Sequence, residues 1–99
     1  LLDACNVVVD ESLTLASIAR DLVAASREFS APVRIAHIVT PEEECRANRI
    51  PHGFPESDFH RKVAEWTRDG ETILAMADTV ARFAIRETDE GRPYFARVV

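Results

Sequence analysis

The sequence predicts an α/β fold of parallel strands joined by helical crossovers and closed by a C-terminal hairpin. Three observations carry this expectation. Two β-branched runs, residues 6–10 and 33–40, flank a stretch of helical periodicity. Proline and glycine then punctuate the middle of the chain, and strand signals return at the end on either side of Asp89-Glu90-Gly91-Arg92.

The first run, Asn6-Val7-Val8-Val9-Asp10, reads as a buried parallel strand whose tip carries a carboxylate. From Ser12, a plausible N-cap, Leu13, Ile18, Leu22 and Phe29 recur at helical spacing until Ser30-Ala31-Pro32 stops the helix. Residues 33–40 form the next strand, and strand–helix–strand implies a right-handed crossover. Pro41 takes the first turn of a short helix behind a Thr40 cap, with Glu42, Glu43 and Glu44 placed against the helix dipole. Residues 50–55 hold two prolines and a glycine and read as a loop. Residues 56–68 are helical through Phe59, Val63 and Trp66, with Asp69-Gly70 closing that helix and residues 72–77 forming a further short one. Residues 79–87 and 94–99 are the strands of the hairpin.

The 99 residues, 46% hydrophobic and 29% charged, suit one domain and no second. The formal charge of −5 argues against binding nucleic acid or an anionic membrane through the overall field. No apolar run approaches the roughly 20 residues of a membrane span. Leu1-Leu2-Asp3-Ala4-Cys5 is no signal peptide, and without an initiator Met the chain reads as a processed product or the back part of a longer gene product. Cys5 and Cys45 make neither a zinc knuckle nor a disulfide scaffold, so a reduced cytoplasmic setting is the default. Whether the two are bonded depends on the fold.

Asp10-Glu11-Ser12 stands where ligands bind in open α/β sheets. Asp10 there can hold Mg²⁺ through water or accept a proton from an attacking hydroxyl; alternatively Asp10 or Ser12 caps the next helix. Arg46 and Arg49, three apart, share a helix face and suit a polyphosphate, because planar guanidinium forks grip phosphate oxygens. The competing account pairs Arg46 with Glu42 or Glu43 on a solvated face. His37, Cys45, His52 and His60 match no compact zinc motif. His37 reads as a satisfied sheet histidine and His52 as a loop residue that meets substrate. Trp66, Phe59, Phe83 and Tyr94 are too scattered for a base-stacking ladder.

The order of these motifs resembles the C-terminal half of small P-loop kinases, closest to the zeta-toxin and polynucleotide-kinase-like group. The matching residues are the VVxD-type strand at residues 7–10, the Thr-Pro-Glu-Glu-Glu-Cys-Arg-Ala-Asn-Arg lid helix, and Pro55-Glu56 opening a further helix. Ala77-Asp78-Thr79-Val80 and the Gly91-Arg92-Pro93 turn complete the pattern, which covers nearly the whole chain. The resemblance implies part of a P-loop NTPase-type three-layer sandwich, with a lid over about residues 41–55. Its activity would be ATP-dependent transfer of the γ-phosphoryl group to a hydroxyl, with Mg²⁺ and ATP as cofactors.

Asp10 then matches the acid that activates the acceptor or organises Mg²⁺, and Arg46 and Arg49 match lid arginines. Glu11 and His52 would border the acceptor, a hydroxyl-bearing small molecule or a nucleotide. The group's GK[ST] loop is missing: Gly53, Gly70 and Gly91 are isolated, and none precedes a Lys-Ser/Thr pair. The chain is therefore expected to be inactive alone and completed by an N-terminal P-loop half, from the same gene product or another chain. An antitoxin-type protein is a further partner implied by the resemblance. The rival expectation is a non-catalytic α/β interaction module without a nucleotide site.

Overall fold

The computed structural model describes residues 7–9 and 13–98. In chain order its elements are α1 (Ala16–Glu28), β1 (Arg34–Ile38), α2 (Glu42–Arg49), a 3₁₀ turn (Ile50–His52), α3 (Glu56–Ala75), β2 (Thr79–Glu87) and β3 (Pro93–Val98). The α/β expectation holds at this level: three helices accompany a mixed sheet in the order β1-β2-β3. β1 runs parallel to β2, and β3 returns antiparallel beside β2 as the predicted hairpin. Thr88 and Gly91 close that hairpin, with Gly91 at a φ of +80° and its N–H donating to the Thr88 carbonyl at 2.8 Å.

The parallel pair is joined through α2 and α3. The expected strand at the front of the chain differs. Val7, Val8 and Val9 belong to no strand and are 76%, 87% and 57% exposed. A parallel strand of this composition is stable when both its faces are covered, and among the described residues nothing covers these valines. Asp10, Glu11, Ser12 and Cys5 lie outside the described residues.

α1 begins at Ala16, four residues beyond the expected Ser12 cap, and its leading N–H is satisfied from another helix. Asp69 of α3 accepts the Ala16 N–H at 2.9 Å, while the Thr14 hydroxyl donates to Glu65 at 2.8 Å. A carboxylate at a helix N-terminus is favoured by both hydrogen bonding and the helix dipole. The Arg68 guanidinium, the Ala16 N–H and the charge of Arg20 hold the Asp69 carboxyl down at about 2. Because the folded value lies below the ordinary one, this contribution is complete above about pH 4 and is lost as pH falls toward 2. The thermal midpoint of the native chain is therefore expected to drop on acidification through that window. Asp69→Asn should start lower at neutral pH and show a shallower acid dependence; parallel acid profiles of the two proteins would remove Asp69 from this role.

α1 buries its small residues rather than its large ones. Ala16 and Ala19 pack with Ile73, and Leu13, Ile35, Trp66 and Met76 close around them. Of the apolar stripe that predicted the helix, Leu13 packs against this core, while Ile18, Leu22 and Phe29 remain exposed. Alanine lets two helix backbones approach closely, so the α1–α3 contact selects the small face. The helix ends where Ser30 takes a φ of +53° and the Ser26 hydroxyl donates to the Ala31 carbonyl.

α3 is one continuous helix of 20 residues, where the sequence predicted a stop at Asp69-Gly70 and a second short helix. Gly70 is buried beneath the Trp66 indole instead of ending the helix. Beyond its C-terminus Asp78 ties three segments together. It accepts both Arg27 guanidinium nitrogens from α1, at 2.8 and 3.1 Å, and the Val33 N–H ahead of β1 at 2.7 Å. That paired arginine and the backbone bond lower the Asp78 pKa.

All the helix contacts of the core fall on one face of the sheet, reached by Ile35 and His37 of β1. Strand alternation puts Ala36, Ile38, Ala81, Phe83, Ile85 and Phe95 on the other face, which no helix among the described residues covers. The described residues thus build two layers, where the P-loop resemblance implied three.

Candidate functional site

In an open α/β sheet the segments leaving the carboxyl ends of parallel strands carry the ligand site. Here that segment is Val39-Thr40-Pro41 and α2. The Val39 N–H still bonds the Phe83 carbonyl at 2.7 Å, and Pro41 then opens α2 with three glutamates in its first turn. Pro41 occupies the capping position itself and Thr40 makes no side-chain cap, one residue off the expected start. The Cys45 thiol lies 3.9 Å from the Thr40 carbonyl.

Arg46 and Arg49 leave α2 for different surroundings. Arg46 is held by α3: Nη1 donates to Glu56, Nη2 lies 3.4 Å from His60 Nε2, and the guanidinium sits 5.0 Å above the Phe59 ring. Phe59 is buried beneath it, so the stacking is a packed contact. His60 also reaches Glu56 at 3.7 Å across one helical turn. Arg46 lowers the Glu56 pKa by hydrogen bond and charge. The acid that pairs with Arg46 is therefore Glu56, and not Glu42 or Glu43.

Arg49 is exposed and makes no ion pair among the described residues. Its carbonyl accepts the Phe54 N–H at 3.1 Å, which folds the chain back around the 3₁₀ turn. His52 lies in that turn, exposed, three residues from Arg49. Gly53 then adopts a φ of +91°, a conformation that glycine reaches at little cost, with open space where a Cβ would stand. The expected irregular loop is in part a 3₁₀ turn, because Pro51 fixes a helical φ and lacks the N–H that a longer ladder needs. Arg49 and His52 thus share one projecting turn, while Asp10 and Glu11 lie outside the described residues.

Sequence spacing could show that Arg46 and Arg49 share a helix face, but not that α3 would claim the first of them. The missed partners, Glu56 and His60, are themselves spaced i, i+4, the one signal that paired them in advance. His37 also differs from its expected satisfied state: its Nδ1 is buried with no hydrogen-bond partner among the described residues. Its ring lies 5.1 Å from that of Trp66 at a tilt of 50°. Burial, aided by the charge of Arg82, lowers the His37 pKa and favours the neutral ring. Beside this pair an open cleft of about 340 Å³ runs along α3 past Thr67 and Glu71.

Among the described residues no group of three or more His, Cys, Asp or Glu side chains converges to hold a metal ion. No helix among them is long and apolar enough to cross a membrane. Comparison with protein-family models, with curated proteins and with solved structures finds no match to this chain.

Proposed function

We propose that this chain is part of an ATP-dependent phosphotransferase of the zeta-toxin or polynucleotide-kinase-like type, moving the γ-phosphoryl group of ATP to a hydroxyl. The observation that carries the proposal is the position of Arg49. It is a permanent cation without an ion pair among the described residues, on the helix that leaves the carboxyl end of a parallel strand, beside a turn ending in left-handed Gly53. Phosphoryl transfer asks little covalent chemistry of a protein and much charge stabilisation, which a guanidinium fork supplies as charge spreads over the equatorial oxygens.

Asp10 accepts the proton of the attacking hydroxyl in this scheme, the hydroxyl oxygen bonds to the γ-phosphorus, and ADP departs. Mg²⁺, when bound, offsets phosphate charge, and Asp10 is the residue of this chain that would hold it, through water. Glu11 and His52 border the acceptor. Arg46 acts through α3, fixing the helix from which Arg49 projects. A GK[ST] loop supplied by the rest of the gene product or by another chain completes the phosphate site, and a cytoplasmic setting and an antitoxin-type regulator belong to the same reading.

Two results are expected. Calorimetry should find no micromolar, Mg²⁺-dependent ATP binding to the 99-residue chain alone, because exposed charge contacts contribute only about 0–1 kcal/mol each. In the completed protein Asp10→Asn should lower turnover with little change in melting temperature, since asparagine retains the capping ability of aspartate and loses the base. Equal loss of stability with unchanged turnover would return Asp10 to a cap. The alternative function, a non-catalytic interaction module, is favoured by the bare apolar sheet face, and absence of ATP-dependent phosphorylation by the completed protein would select it.

A further inference from the structure

α3 packs on β1 through Ile35 and His37, and the groove along its flank holds polar groups that the fold leaves unused. Two open cavities meet there at Leu74, one of about 340 Å³ lined by His37 and Trp66, the other of about 360 Å³ lined by Val80, Arg82 and Val98. None of the residues lining either belongs to α2 or to the turn after Arg49. Arg82 stands opposite His37 in the parallel pairing of β1 and β2, so both side chains rise from the same sheet face. Arg82 is exposed and makes no ion pair among the described residues. His37 Nδ1 is buried without a partner, while burial and the Arg82 charge keep the ring neutral. An anion on the cleft side selects the tautomer with the proton on Nε2, at little cost because Nδ1 has no partner in either form.

We propose that this groove binds a small aryl carboxylate, its carboxylate between Arg82 and His37 Nε2 and its ring against Trp66 and Leu74. The charge balance selects the carboxylate. Of the other charged groups on the α3 side, Arg68 is engaged by Asp69 at 2.8 and 3.1 Å, and exposed Glu71 lines the cleft without an ion pair. A dianionic phosphate would leave one charge unmatched beside Glu71. A carboxylate matches Arg82 one for one and offers two oxygens, to the guanidinium fork and to the Nε2–H. The ring is selected by Trp66, whose indole is fixed between Gly70, where a Cβ would stand 2.8 Å away, and the His37 ring at 5.1 Å. Its free edge is a rigid wall that a planar ring meets edge-to-face, with Leu74 and Val80 completing an apolar lining. This site stands apart from the phosphotransferase reading and shares no residue with it.

Trp66 is the single tryptophan of the chain, so its fluorescence reports the groove without a label. Phenylacetate should shift the Trp66 emission of the 99-residue chain in the millimolar range or below. Phenylacetamide, which lacks the charge, benzylphosphonate, which doubles it at alkaline pH, and hexanoate, which lacks the ring, should each bind about tenfold more weakly or worse. Arg82→Gln, at an exposed position, should weaken phenylacetate by about tenfold or more with an unchanged melting temperature. Glu71→Gln should narrow the gap between benzylphosphonate and phenylacetate, and this variant decides the matter if Arg82→Gln proves less stable. A Trp66 emission indifferent to phenylacetate throughout the millimolar range overturns the proposal. So does equal binding of phenylacetamide or hexanoate, full binding by a stable Arg82→Gln chain, or a gap that Glu71→Gln leaves unchanged.

Discussion

Arg49→Ala in the completed phosphotransferase is expected to lower turnover about 10³-fold, the loss typical of an arginine that stabilises a transferring phosphoryl group. Arg49→Lys should already be impaired, because a point charge on a flexible stem does not reproduce a planar fork across two oxygens. Acceptor affinity should change much less, since the contact strengthens as charge develops in the transition state. Arg46 supplies the control. Its guanidinium is engaged by Glu56, His60 and the Phe59 ring, so Arg46→Ala loosens α2 from α3 and lowers the melting temperature. The stability loss is modest, because the pair is partly solvated and water screens the attraction between its charges. Its turnover should exceed that of Arg49→Ala. Single-turnover kinetics and thermal melts of the two variants check the division. Equal kinetic losses would make the arginines one unit, and a purely thermal effect of Arg49→Ala would leave α2 a solvated surface.

What the sequence reveals and what it hides differ for physical reasons. The hairpin was legible almost to the residue, because β-branched runs on either side of Asp89-Glu90-Gly91-Arg92 constrain pairing locally. α1 was legible as a helix and illegible in its buried face. Periodicity marks Leu13, Ile18, Leu22 and Phe29 as a stripe, but of these only Leu13 packs against the core, and close approach to α3 selects Ala16 and Ala19. Its N-terminal partner was equally hidden, since Asp69 lies 53 residues away and no local capping pattern encodes it. The candidate site divides the same way. The i, i+3 spacing placed two arginines on one face, while the tertiary contact with Glu56 and Phe59 separates their roles. At the front of the chain the composition of Val7-Val8-Val9 asks for burial, and the described residues offer none.

Gly70→Ala is the second large expected effect, and its sign is decided by a contest of two terms. Glycine inside a helix costs about 1 kcal/mol relative to alanine, so propensity alone predicts that the substitution stabilises α3. A Cβ at this position would stand 2.8 Å from Trp66 Cε2 and 3.0 Å from Cδ2, well inside contact distance. The indole is held where it is, packed against the Ala16, Ala19 and Ile73 core and facing the His37 ring at 5.1 Å. Forcing it aside costs about 1–3 kcal/mol, as overpacking does elsewhere, which exceeds the propensity gain at most of that range. The melting temperature should therefore fall, with about 4–8 °C for each net kcal/mol in a domain of this size. The same substitution in a Trp66→Leu background separates the terms. With the indole gone the steric cost vanishes, and Gly70→Ala should raise the midpoint relative to Trp66→Leu alone, a reversal of sign that only direct coupling between the two positions produces. If Gly70→Ala stabilises the native chain instead, Trp66 moves freely, and the shelf it forms beside His37 is not a fixed part of the fold.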